Sequence, residues 1–140
     1  MKNETWKDIE GYEGIYQISN TGRVKSYDKI YTFTANRSGI IYSCTVLRRG
    51  RILKLRHDKD NYPRVGLYNK KNYQKWHSVH RLVLNAFAGP CPDNMEACHN
   101  DGDPTNNNVD NLRWDTHINN MVDRDKHHNS ICKQLQKVGV

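Results

Sequence analysis

The sequence predicts an α+β fold, strand-rich in its first half and closed by a strand–loop–strand–helix unit. Three observations carry this expectation. Short β-prone runs separated by Gly, Asn and Asp occupy much of residues 15–68. Val79, Leu82, Val83, Ala86 and Phe87 recur at the spacing of an amphipathic helix. From Met95 to Asp125 the chain reads as a short strand, a long polar loop, a second short strand and a helix.

Taken in order, Ile15, Tyr16 and Ile18 form the first β-prone run. Ser19-Asn20-Thr21-Gly22 reads as a tight turn, and Arg23-Val24-Lys25-Ser26 as the returning strand. Asp28 to Gly39 carries few signals and is expected to be a mobile loop. Strand-like pieces follow at Ile40–Val46, Arg51–Leu55 and Arg64–Tyr68. Alternation in Arg51–Leu55 places Leu53 and Leu55 on one face, and Ile52 and Lys54 on the other. Gly89-Pro90 stops the helix that contains Val79–Phe87. Met95–His99 is the next strand, Asn100–Asp110 the polar loop, and Asn111–Trp114 the strand after it. Thr116 is the expected N-cap of a helix reaching roughly Asp125.

A chain of 140 residues has room for one ordinary domain or two small modules that share a core. The division read from the pattern is 1–73, β-rich; 74–128, helix plus strand–loop–strand–helix; and 129–140, a basic tail of lower order. Eight Tyr, three Trp and two Phe are enough to anchor small cores, so disorder is not expected. Trp6, Trp76 and Trp114 are expected to be core residues rather than base-stacking platforms. The excess of 22 Lys plus Arg over 15 Asp plus Glu gives a formal charge of +7, which favours polyanions as partners. No apolar run approaches the ~20 residues of a membrane span, and the first residues lack a signal-peptide core. The expectation is a cytoplasmic protein with no membrane association.

The four cysteines, Cys44, Cys91, Cys98 and Cys132, form no CxxC pair and are expected to be free thiols. A mixed zinc site using Cys91, Cys98 and a late histidine is the outside alternative. It would make the chain a small zinc-stabilised interaction module.

The most informative segment is Glu96 to Asn120, EACHNDGDPTNNNVDNLRWDTHINN. Asx side chains bond nearby backbone, so their density predicts a self-bonded loop. That alone does not explain a histidine just before the loop and amides at the start of the next helix. Together with VHRLVLNAF at Val79–Phe87, the segment closely resembles His-Asn-His (HNH) endonucleases of phages and mobile introns. WKDIEGYEGIYQISNTGRVKS, Trp6 to Ser26, resembles the N-terminal DNA-binding modular motif that often accompanies them.

The resemblance implies a ββα-metal (His-Me finger) unit at 74–128 and a DNA-binding region at 1–73 that contains the modular motif at 6–26. It implies His99 as the general base that activates water for attack on a phosphodiester; an imidazole suits the role because it titrates near working pH. A carbonyl or amide should accept from the other ring nitrogen of His99. Asn111 matches the middle Asn and is expected to brace the loop. Asn120 matches the final position, a ligand of one divalent ion, with Mg²⁺ first and Mn²⁺ or another transition metal as alternatives.

Cys98 stands where many members of the family carry an Asp ligand, and a thiol is a soft, poor partner for Mg²⁺. Three alternatives stay open. Asp101 or water completes the site; the site takes a softer ion such as Mn²⁺, Co²⁺ or Ni²⁺; or the protein is weakly active or a noncatalytic DNA binder. Asp123 and His127 are reserve ligands, and His117 is close enough in sequence to reach the phosphate. His57, His77 and His128 carry no assignment.

The expected partner is double-stranded DNA, bound by a monomer or weak dimer in the phage-infected or bacterial cytoplasm. Arg23 and Lys25 on the first hairpin and the stripe Arg48, Arg49, Arg51, Lys54, Arg56 and Arg64 are the expected DNA contacts, joined by His80, Arg81 and Arg113.

Overall fold

The computed structural model describes residues 3–138, with side chains described as far as 129. Three short strands open the chain: β1 (Trp6–Asp8), β2 (Tyr16–Ser19) and β3 (Val24–Ser26). They form an antiparallel meander in the order β1-β2-β3, with Ile18 opposite Val24. Both of those side chains are fully buried.

Asp28 to Gly39, expected to be a mobile loop, is instead mostly strand. β4 (Lys29–Arg37) pairs along its whole length with β5 (Ile40–Arg48). Ser38 and Gly39, both at positive φ (54° and 83°), form the two-residue turn between them. The run Ile30-Tyr31-Thr32-Phe33 is β-prone, but it lacks the apolar–polar alternation of a half-buried strand. The reason is that neither face of this ribbon is covered: Ile30, Phe33, Ile40 and Ile41 are all exposed.

Arg51–Leu55 keeps its predicted alternation without becoming a strand. Leu53 and Leu55 pack against the core, while Ile52 and Lys54 face outward. The segment lies beside β3 through the Lys25–Ile52 bridge and the Leu53 N–H bond to Val24. A second three-stranded antiparallel sheet follows: β6 (Arg56–His57), β7 (Pro63–Tyr68) and β8 (Gln74–Ser78).

β8 runs directly into helix α1 (Val79–Phe87), which buries Val79, Leu82, Val83 and Leu84. Gly89, at φ 88°, turns the chain out of the helix. β9 (Met95–His99) and β10 (Leu112–Thr116) form a second hairpin, with Leu112 opposite His99 and Arg113 opposite Cys98. Its long loop ends in a single 3₁₀ turn at Val109–Asn111. Thr116 Oγ1 accepts from the Asn119 N–H (3.3 Å), so it caps α2 (His117–Val138). That helix extends well past the expected end near Asp125 and takes in most of the expected tail.

One core joins these pieces. Tyr16, Ile18 and Val24 from the first sheet, with Ile9 and Tyr12 from the connection between β1 and β2, meet Val65 and Leu67 of β7, the inner face of α1, and Leu112 of β10. Each such side chain contributes ~1.5–3 kcal/mol when fully withdrawn from water. The β9–β10 hairpin is therefore seated on the same core as the N-terminal meander. Among the described residues no helix is long and apolar enough to cross a membrane.

Candidate active site

Side chains alternate along β9, so its two faces do different work. His99 and Ala97 face α1, while Glu96 and Cys98 face α2 with Arg113 and Asp115 of β10. Hydrogen bonds from Asn119 to Asp115 and from Arg113 to Asp123 tie α2 to that second face.

His99 Nε2 lies 2.8 Å from Asn107 Oδ1. An amide oxygen can only accept, so the ring proton sits on Nε2 and a neutral His99 keeps its free lone pair on Nδ1. Asn107 is itself 4% exposed. It comes from the middle of an Asn106-Asn107-Asn108 run, and nothing in sequence distinguishes which of the three turns inward. Behind His99 stand His80, with ring centroids 5.2 Å apart, and Tyr62, at 5.8 Å. His80 is buried, and its Nδ1 has no hydrogen-bond partner. Burial, then the neighbouring His99 and Arg81, push its pKa down to about 4, so the ring is neutral near pH 7. The expectation of His80 as a DNA contact is thereby corrected: the ring packs behind His99 and is withdrawn from the surface. Its neighbour Arg81 is exposed.

Asn111 and Asp101 brace the loop together. Asn111 Oδ1 accepts from the Asp101 N–H (3.0 Å), and Asn111 Nδ2 donates to Asp101 Oδ1 and to the Asn106 carbonyl, both at 2.9 Å. Asp101 also accepts from Asn106 Nδ2 and the Asp103 N–H. Partial burial would raise the Asp101 pKa, but these donors prevail and hold it low. Its carboxylate is thus occupied within the loop and is not brought to Asn120.

Cys98 is 2% exposed, and its thiol points at the backbone carbonyl of Glu96 (3.6 Å). Burial pushes its pKa up, which disfavours the thiolate that a metal would require. Asn120 donates through Nδ2 to Glu96 Oε1, and His117 Nδ1 lies 3.3 Å from each Glu96 oxygen. The Asn120 bond, outweighing the cost of burial, keeps the Glu96 carboxyl below its ordinary range. Alternation on β9 puts Glu96 on the face of Cys98, a signal available in the sequence but not used there.

Glu96, His117 and Asn120 lie in an open cleft of about 640 Å³, whose other walls include Asp58, Arg64, Arg81 and Arg124. Among the described residues no cluster of three His, Cys, Asp or Glu side chains is arranged to hold a metal. The Cys91–Cys98 zinc alternative therefore finds no support there; Cys132 lies outside the described side chains. Hard donors suited to a divalent ion are present at Asn120 and its carboxylate neighbour, and absent at Cys98.

The predicted basic residues lie in different surroundings. Arg48, Arg49, Arg51, Lys54 and Arg56 line one large cleft of about 1080 Å³, with Lys29 and Lys70 beside them. Arg23 pairs with Glu4 and lies over Trp6, as does Lys25, whose Nζ is 4.2 Å from the ring centroid. Arg113 is bound by Asp115, Asp123 and Asn100, which makes it a strut between β10, the loop and α2. Its expected phosphate contact does not fit that engagement. Arg64 is half-buried on β7 and its Nε has no partner. Trp114 packs against the core and bonds to the Gly89 carbonyl, whereas Trp76 is exposed beneath Arg56. His127 packs against Gly102 of the loop.

Comparison with known proteins gives two family matches on this chain. The NUMOD4 motif matches residues 4–68 and the HNH endonuclease family matches residues 77–122. The DNA endonuclease I-HmuI of Bacillus phage SP01 is 35% identical over 136 residues, which are 95% of this chain and 66% of that enzyme. An uncharacterised HNH endonuclease of Acanthamoeba polyphaga mimivirus is 30% identical over 120 residues, 80% of this chain and 29% of its own length. The solved structure describing DNA binding and cleavage by the HNH homing endonuclease I-HmuI superposes with a TM-score of 0.67 at 34% identity. The match covers 95% of this chain and 66% of that one.

Proposed function

Because the chain belongs to the HNH endonuclease family and carries a NUMOD4 motif ahead of its nuclease segment, we propose that it is a homing-type DNA endonuclease in which His99 activates water. The observation that carries this reading is the hydrogen bond from His99 Nε2 to the buried Asn107 amide. It fixes the tautomer and leaves Nδ1 as the basic nitrogen.

In this mechanism His99 Nδ1 takes a proton from a water molecule. The water oxygen bonds to the scissile phosphorus as the P–O3′ bond breaks, and the leaving oxygen takes a proton from a solvent water. Neutral His80 and Tyr62 hold the His99 ring from behind without adding charge that would oppose its protonation. Arg81, Arg64 and Arg124, at the edges of the smaller cleft, stabilise the phosphate's negative charge. A divalent ion held through Asn120 would supply further charge neutralisation at the phosphate and leaving oxygen when bound. The basic cleft from Arg48 to Arg56 tracks the DNA backbone. With one base per chain, a monomer nicks one strand.

A supercoiled-plasmid nicking assay with Mg²⁺, Mn²⁺ or chelator tests this. His99→Ala is expected to lower the rate about 10²- to 10⁴-fold while DNA binding persists. Undiminished nicking by the variant refutes the assignment. A wild-type protein that binds duplex DNA but fails to nick it with either ion favours the noncatalytic reading, to which the buried thiol at Cys98 lends its weight.

A further inference from the structure

We propose that Glu96, two residues before the position where an acidic ligand is expected, supplies the carboxylate that joins Asn120 in holding the divalent ion. This rests on the nuclease reading and deepens it at one residue. Glu96 and Cys98 share the face of β9 turned toward α2, but at different depths. Cys98 is sealed in, its sulfur against backbone. The Glu96 side chain keeps 31% exposure and opens on the smaller cleft.

Asn120 and His117, both on the first turn of α2, converge on the Glu96 carboxylate. With no cation between them, an amide and a carboxylate meet through the amide N–H. Rotating the Asn120 amide about its terminal bond brings its oxygen to the same point, so two hard oxygens converge without backbone movement. That pair suits Mg²⁺ or Mn²⁺, and the His117 nitrogen broadens the set toward transition ions. Asp101, the other carboxylate considered, is committed to three donors in its own loop.

The decisive experiment is Mn²⁺ titration of the full chain without DNA, read by the electron paramagnetic resonance signal of free Mn²⁺. The wild type is expected to bind Mn²⁺ and Glu96→Gln to bind it roughly tenfold or more weakly, since ligand charge sets affinity. Cys98→Ser should leave binding unchanged, and Glu96→Asp, which keeps the carboxylate, should retain part of it. Mn²⁺ should raise the melting temperature of the wild type but not of Glu96→Gln, which separates lost binding from lost folding. The Co²⁺-loaded wild type should show no thiolate-to-metal charge-transfer band.

Such a band, Mn²⁺ affinity that ignores Glu96→Gln, or a wild type that binds no Mn²⁺ overturns the proposal. Nicking assays keep the two readings apart. Mn²⁺ binding through Glu96 by a protein that never nicks upholds this site and ends the nuclease reading. Nicking that depends on His99 but not on Glu96 does the reverse.

Discussion

β4–β5 and β9–β10 are both antiparallel hairpins, but they are held in place by different forces. The first has nine facing residue pairs and a two-residue turn, and almost every side chain on it is exposed. The second has five pairs and a long loop, and lies between α1, α2 and the shared core. The length of a ladder therefore does not measure how firmly a hairpin is held. A two-stranded ribbon gains little stability alone, whereas packing and a self-bonded loop fix the shorter one. The proposed base, His99, sits on the hairpin whose geometry is over-determined.

Stability offers the sharpest way to break this contrast. Leu84→Ala, in the core on which the β9–β10 hairpin is seated, is expected to cost ~2–5 kcal/mol in urea unfolding. Phe33→Ala on the exposed ribbon should change stability by no more than ~0.5 kcal/mol. Equal losses would mean that the ribbon is not independent of the core.

Acid should spare the ribbon, whose residues 29–48 include no Asp, Glu or His. The folded-state pKa of His80, about 4, lies below its ordinary 6.5, so folding favours the neutral ring. Its contribution is complete above pH ~6.5 and is lost as pH falls toward ~4, with a full extent on the order of 3 kcal/mol. His80→Phe should flatten that part of the stability–pH curve, as measured by denaturant melts at several pH values. Phe33→Ala should leave it in place.

Asn107→Ala removes the acceptor for His99 and is expected to cost ~1–3 kcal/mol of stability. It should also lower kcat more than DNA affinity in a nicking assay; a change confined to affinity would contradict its positioning role. The smallest effects belong to the basic cleft. Arg48→Ala, Arg49→Ala and Arg51→Ala should each reduce the slope of log affinity against log salt by about one where the side chain meets a phosphate. Unchanged slopes in all three would remove DNA from that cleft.

What could be read in advance follows the same contrast. α1 was legible because one face is buried, and β9 because apolar residues stand between turn-forming ones. β4 was not, because a ribbon with no core face has no reason to alternate. The end of α2 was missed because no Gly or Pro between Asp125 and Val138 marks where the helix stops. His99, Asn111 and Asn120 were marked by the resemblance of their segment to the HNH motif. Asn107 and Glu96 were not, since their roles depend on which of several similar side chains turns inward, and tertiary packing decides that. Arg113 looked like a phosphate contact because its acceptors come from separate elements that only the fold assembles.

Gly22 closes the turn between β2 and β3 at φ 90°, and a Cβ there would come within 2.8 Å of the Asn107 side chain. The turn is also stitched to the loop by the Val109 N–H bond to the Asn20 carbonyl (2.9 Å). A graft of this N-terminal segment onto another nuclease, or its replacement by a foreign one, would have to reproduce that glycine and its contact surface. A chimera built only at the boundary between the two matched families would inherit a histidine whose orienting amide had lost its backstop. The recombination unit is thus larger than the N-terminal segment by itself, and a residue in the first module sets the tolerance of the second.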